Sequence, residues 1–233
     1  NLRDIRRKMK AIKSTRQVTK AMELVSASKM RKAVQNAQAL RRYALTAWSM
    51  LRKLAKTNAD QHPFLADRPA KKILAVLFTS DRGLCGSFNA HLCKTANLYV
   101  RGLKDLPGSP EVEFIAIGRK AQQYLARTGR KVIAAFPAPS NHPTFKDILP
   151  VAKMAIDGFT SKNYDRVILI FSDFISALVQ EPAVKVLLPF SDTVLQGMIQ
   201  SMFPDRKGGL NRIDAMADAE FAHAIDYRFE PSP

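Results

Sequence analysis

Proline does not occur before Pro63, and glycine does not occur before Gly83. Residues 1–57 therefore lack the two residue types that most disfavour a helix interior. What fills them is Ala, Lys, Arg, Met, Leu and Gln, which lose least on entering one. Acid is almost missing from the same stretch, where 16 Lys and Arg face only Asp4 and Glu23. The other 176 residues carry 21 basic and 18 acidic side chains, so nearly all of the +17 net charge belongs to the first stretch. Cysteine is scarce: Cys85 and Cys93 are eight residues apart. On one helix they would lie about 12 Å apart along the axis, too far for a disulfide, and free thiols suit a reducing compartment. No run of about 18 apolar residues is present, so no helix is expected to span a bilayer. The N-terminus is charged from Arg3 onward and has no apolar signal core, which excludes a secretory leader in this stretch. The histidines His62, His91, His142 and His223 are scattered without ligand spacing, and no metal or cofactor is expected.

The spacing over 1–57 predicts one long helix. At about 1.5 Å per residue it would reach about 84 Å, whereas the compact remainder should have a radius of gyration of only about 14 Å. Such a rod must outrun its own body and needs partners to bury its apolar face. Ile5, Met9 and Ile12 show 4/3 spacing, as do Val18, Met22 and Val25, then Met30, Val34 and Ala37, then Ala44, Trp48 and Leu51. The triplets do not share one phase, which predicts an irregular coiled coil with breaks in its heptads. Small residues such as Ala21, Ser26, Ala33 and Ala37 permit close helix approach. A solvated face would account for an ordinary basic helix, but here too few acids exist to pair with it. An acidic partner surface is expected, whether nucleic acid, anionic membrane or acidic protein.

Residues 58–71, with Pro63 and Pro69, read as a linker. Ile73–Thr79 is a continuous apolar run typical of a strand covered on both faces. Beyond it, helix is expected to about Leu103, strand at Glu113–Ile117, helix at Arg119–Arg127, strand at Lys131–Phe136, helix at Thr144–Gly158 and strand at Arg166–Phe171. Ser176–Gln180 and Val184–Leu188 flank Glu181-Pro182 and read as a hairpin or bent strand pair. The alternation makes residues 72–190 an α/β, Rossmann-like domain with a mostly parallel sheet and helices on both faces. The stretch from Ser80 to Asn89 lies where such a fold binds phosphate. Gly83 and Gly86 supply only two of the three glycines of a dinucleotide fingerprint, and no Gly-Lys-Ser/Thr follows. Asp81, Arg82, Gly83 and Gly86 read better as a structural turn. Cys85 has only His91 as a nearby base, and no carboxylate pair is set for acid–base work. No catalytic residue is expected.

Leu2–Lys8 and Thr15–Lys32 (TRQVTKAMELVSASKMRK) resemble the N-terminal helix of the gamma subunit family of F-type ATP synthases. Thr79–Asn89 (TSDRGLCGSFN) resembles that family's motif after the first strand, and Gln180-Glu181-Pro182 with Leu187-Leu188-Pro189 resembles its late β-hairpin. The match runs in order through most of residues 1–190. The resemblance implies a non-catalytic central-stalk rotor subunit, one copy per complex. Its shaft turns within a ring of alpha and beta subunits, and its α/β domain sits beside the epsilon subunit and the c-ring. Proton flow turns ring and shaft, and the shaft's asymmetry cycles the catalytic beta sites through different nucleotide affinities. It implies no nucleic acid partner, and membrane attachment only through the c-ring, at the cytoplasmic face of a bacterial inner membrane. It places Met22 and Glu23 where the shaft meets beta subunits, and Lys29, Arg31 and Lys32 facing acidic beta loops. Arg7 and Lys8 fall near the shaft tip. Met22 also fits the seam of a coil, and the cations also fit a solvated face.

The chain ends Phe229-Glu230-Pro231-Ser232-Pro233, and Ser followed by Pro is a helix-opening pair. The family's second shaft helix is expected to begin there, so the chain is expected to be a fragment, as its start at Asn1 also implies. Residues 191–233, with seven acids and four basic residues, read as a variable insertion. Short helices are expected at 193–202 and 211–223, and a turn at 205–210. A basic nucleic-acid binder and a Rossmann-type nucleotide enzyme remain the other two classes. Against the first, 1–57 holds only Tyr43 and Trp48 as aromatics, together with a seam that a backbone binder does not need.

Overall fold

The structure is a computed structural model that describes residues 1–57, 62–104, 108–139 and 143–190. The elements expected beyond residue 190 lie outside the described residues. The chain divides into two compact units, Asn1–Ala44 and Leu45–Pro233.

Helix α1 runs unbroken from Leu2 to Thr57, 56 residues. Helix-interior hydroxyls bond back along it: Thr15 Oγ1 donates to the Ala11 carbonyl at 3.0 Å and Thr19 Oγ1 to the Thr15 carbonyl at 3.0 Å. They are thereby satisfied without help from a second element.

The second unit is α/β. Its strands are β1 (Lys72–Phe78), β2 (Glu111–Ile117), β3 (Val132–Phe136), β4 (Arg166–Phe174) and β5 (Gln180–Leu188), and its helices are α2 (Phe88–Lys104), α3 (Arg119–Arg127) and α4 (Phe145–Thr160). The sheet order is β3-β2-β1-β4-β5, parallel except for β5, which pairs antiparallel with β4. β1 sits in the middle, and Ile73–Leu77 are buried along its length. Alternate residues serve opposite faces. Ile73, Ala75, Leu77, Phe114 and Ile170 pack under Leu92, Ala96 and Val100 of α2 and Leu125 of α3. Leu74, Val76, Ile115 and Val167 pack under Val151, Ala155 and Phe159 of α4. The mostly parallel sheet covered on both faces is the architecture that the apolar runs imply.

One local reading needs correction, and two others gain detail. The hairpin does not turn at Glu181-Pro182. Pro182 lies within β5 opposite Ser172, and the reversal occupies 175–179, where Ser176 Oγ accepts from the Leu178 and Val179 amides at 3.3 and 3.1 Å. Pro182 is tolerated because β5 is an edge strand, where a missing N–H need not break a ladder. Cys85 precedes α2 while Cys93 lies within it, so they share no helix, and both are free thiols. The part of the expected linker that is described, 62–71, is held by packing and hydrogen bonds. Phe64 packs edge-on to Phe159 and Phe190, and Arg68 Nη2 donates to the Tyr164 carbonyl at 2.9 Å.

Candidate functional site

α1 carries the basic charge and the seam. Its apolar side chains stand open: Ile5, Met9, Ile12, Val18, Val25 and Met30 are exposed, Met22 is 45% exposed, and Val34 is half-buried. At about 100° per residue, the middle of the stripe moves about 140° around the helix from Met9 to Met22. It swings back about 120° by Val34. Leu24, also exposed, lies about 120° off the stripe at Val18, Met22 and Val25. One straight neighbour cannot cover all of these positions.

The same geometry sorts the candidate contact residues. Lys29 is one heptad beyond Met22 and shares its side, and Lys32 follows one turn later, about 60° away. Arg31 is about 200° from Lys29, so the expectation that Lys29, Arg31 and Lys32 face one surface together is not met by a straight helix. Glu23 pairs with Lys20, Nζ to Oε2 3.1 Å, with both side chains in solvent, a contact of small energetic weight. Arg7 and Lys8 are exposed and lie about 100° apart.

The stretch after β1 is a tied turn. Asp81 Oδ1 accepts from the Arg119 amide at 2.9 Å and the Ala138 amide at 3.2 Å, joining the loops that follow β1, β2 and β3. These two hydrogen bonds hold its carboxyl below the usual range. Asn89, in the first turn of α2, accepts from the Ser80 amide at 3.0 Å and donates to Ser80 Oγ at 2.8 Å and Cys85 Sγ at 3.0 Å. Arg82 contributes its carbonyl, which accepts from Ser80 Oγ at 2.6 Å. Gly86 has φ +57°, a conformation in which glycine alone is unstrained. Gly83 has no such constraint, since a Cβ there would meet nothing within 4 Å. Leu84 adopts φ 63° and is 92% exposed. The polar groups that could cradle a phosphate are thus largely spent on one another.

Two anchors escaped the sequence reading. Gly118, the N-cap of α3, has φ +94°, and a Cβ there would lie 2.3 Å from the Thr79 carbonyl oxygen. Thr79 Oγ1 in turn accepts from the Ala121 amide at 2.7 Å. Glu113, 3% exposed, receives Lys72 Nζ at 2.8 Å, Lys131 Nζ at 2.6 Å and the Tyr164 hydroxyl. Burial alone would raise its carboxyl, but hydrogen bonds from Lys131, Lys72 and Tyr164 outweigh that and hold it at about 2. Burial and the carboxylate together raise the Tyr164 phenol. The available signal was Glu113 itself, an acid that shares a strand face with Ile115 and Ile117 in EVEFIAI.

No group of His, Cys, Asp and Glu able to hold a metal occurs among the described residues, nor any helix long and apolar enough to cross a membrane. The family model described as ATP synthase matches residues 1–233. The chain is 37% identical over 233 residues to an ATP synthase gamma chain of Pelotomaculum thermopropionicum, covering 100% of this chain and 72% of that one. It is 34% identical over 230 residues to that of Nitrosococcus oceani, covering 98% and 72%. The chain belongs to the ATP synthase gamma chain family. Its fold is also that of a chain in the central stalk and c-ring structure of Tetrahymena thermophila mitochondrial ATP synthase. That likeness has a TM-score of 0.56 at 21% identity and covers 87% of this chain and 86% of that one. For a member of this family, the exposed faces of α1 are the first surface to ask about.

Proposed function

We propose that this chain is a central-stalk rotor subunit of an F-type ATP synthase, coupling proton-driven rotation to nucleotide-affinity changes at the beta subunits. It carries no catalysis of its own. The observation that carries this reading is α1, one continuous helix whose exposed apolar positions swing around its axis among 16 Lys and Arg. A helix docked on a single neighbour needs one stripe. A shaft held by a second helix and enclosed by a ring needs apolar contact on several sides and a charge opposite to its bearing. Met22, Lys29 and Lys32 form the side offered to acidic beta loops, while Glu23, about 120° from Lys29, is offered to another part of the ring. Arg31 is offered to a different part of the ring at the same moment, and Arg7 and Lys8 lie nearer the tip. The asymmetry that rotation must transmit is then built into the helix, since each angular position shows the ring a different mix of charge and methyl groups.

The α/β unit, residues 72–190, supplies the foot that meets the epsilon subunit and the c-ring. Attachment to the cytoplasmic face of a bacterial inner membrane runs through that ring, and the tied turn at Asp81–Gly86 serves rigidity. Co-expression with alpha and tagged beta subunits of the same source, read by native mass spectrometry, tests the proposal. One copy of this chain per alpha–beta ring is expected, with release at high salt. Elution of the chain by itself, or with bound nucleic acid, would overturn it.

A further inference from the structure

Between α2 and α3 lies a groove of about 560 Å³, within the size range of small-ligand sites. Lys94, Lys120 and Arg127 line it, with Asn97 and Tyr124. Neither helix contains an aspartate or a glutamate. No ion pair joins any of the three cations to a carboxylate among the described residues. Arg130 Nη2 donates to Asn97 Oδ1 at 3.2 Å, which leaves both N–H donors of the Asn97 amide for a ligand. Lys120 stands in the first turn of α3, where the helix dipole adds positive potential. The groove therefore presents three cations with no carboxylate on either helix to balance them, beside one aromatic ring.

Lys94, Lys120 and Arg127 give the groove a positive potential that an anion would neutralise. Among anions, a phosphate chain matches a row of Lys and Arg better than a lone carboxylate, because it offers several oxygens along its length. We propose that the α2–α3 groove binds a di- or triphosphate, free or carrying a nucleoside, gripped by Lys94, Lys120 and Arg127 with Tyr124 as its aromatic wall. The groove borders the turn after β1 through Asn89, whose amide is already committed to Ser80 and Cys85. It needs neither the coiled coil nor the ring.

Cys93 also lines the groove, whereas Cys85 belongs to the tied turn, so the chain contains its own reporter and its own control. The whole chain is alkylated with N-ethylmaleimide alone, with ADP or with inorganic diphosphate, at about 150 mM salt to screen loose binding. The rate at each cysteine is read by peptide mass spectrometry. Either ligand, at several times its Kd, is expected to slow Cys93 about fivefold or more and to leave Cys85 unchanged. Protection by both ligands means that the phosphate chain suffices. Protection by ADP alone means that the nucleoside is read, and Tyr124→Leu should then remove it. Lys120→Gln with Arg127→Gln should abolish protection, whereas Lys10→Gln with Lys13→Gln, the same charge removed from α1, should not. Protection by neither ligand, equal slowing at Cys85, or full protection in the Lys120/Arg127 variant would overturn the site. So would protection of Cys93 by assembly with other subunits but by neither ligand, which would make the groove a protein interface.

Discussion

Glu113 and Gly118 hold the α/β unit together at two points where a single substitution has a nameable cost. Glu113 is a depressed carboxyl, so its contribution is complete above its ordinary value of 4.5 and is lost as pH falls toward about 2. A depression of that size corresponds to roughly 3 kcal/mol. Urea unfolding should therefore show stability falling between about pH 4.5 and pH 2, with Glu113→Gln flattening that part of the profile. At neutral pH the same substitution should cost about 2–4 kcal/mol, because it removes the shared counter-ion of Lys72 and Lys131. Gly118→Ala must meet the Thr79 carbonyl from a backbone that already disfavours a side chain. It should cost about 3 kcal/mol or more, whereas Gly83→Ala should stay within about 0.5 kcal/mol. Thermal melts of the two glycine variants check the contrast.

At the scale of elements, pattern reading succeeded where one force dominated. α1 could be read because no helix breaker interrupts it, and β1 and β4 because each is a nearly continuous apolar run. α3 was legible to the residue, Arg119–Arg127, bounded by Gly118 and followed by Gly129. The β4–β5 turn was not legible. A proline stood where the eye expects a turn, while the true reversal contains neither proline nor glycine and is closed by the Ser176 hydroxyl. The Glu113 cluster escaped because its partners come from β1, the residue before β3 and the segment before β4, a juxtaposition that only the sheet order creates. Among the contact candidates, helical phase separates Arg31 from Lys29 and Lys32. Lys29→Glu with Lys32→Glu should therefore weaken association with beta subunits about tenfold, on the order of 1.4 kcal/mol. Arg31→Glu alone should disturb a different contact and weaken it less. Pull-down with tagged beta subunit over a salt series separates the two.

On the scale of the whole molecule, the two units answer different demands. The α/β unit spends its polar groups on its own rigidity, with Asp81, Asn89, Thr79 and Glu113 all committed internally. α1 does the reverse and leaves methyl groups and cations uncovered over most of its length. Such a helix needs surroundings to cover it, and the ring of alpha and beta subunits is the one proposed above. The most direct test of the shaft reading is photocrosslinking from a benzophenone attached at Lys29→Cys, in complexes assembled with alpha and beta subunits and with Cys85 and Cys93 replaced by serine. The account predicts adducts with beta subunit segments rich in Asp and Glu, diminished when the probe is moved to Arg31→Cys. Adducts confined to this chain, or to nucleic acid, would contradict it.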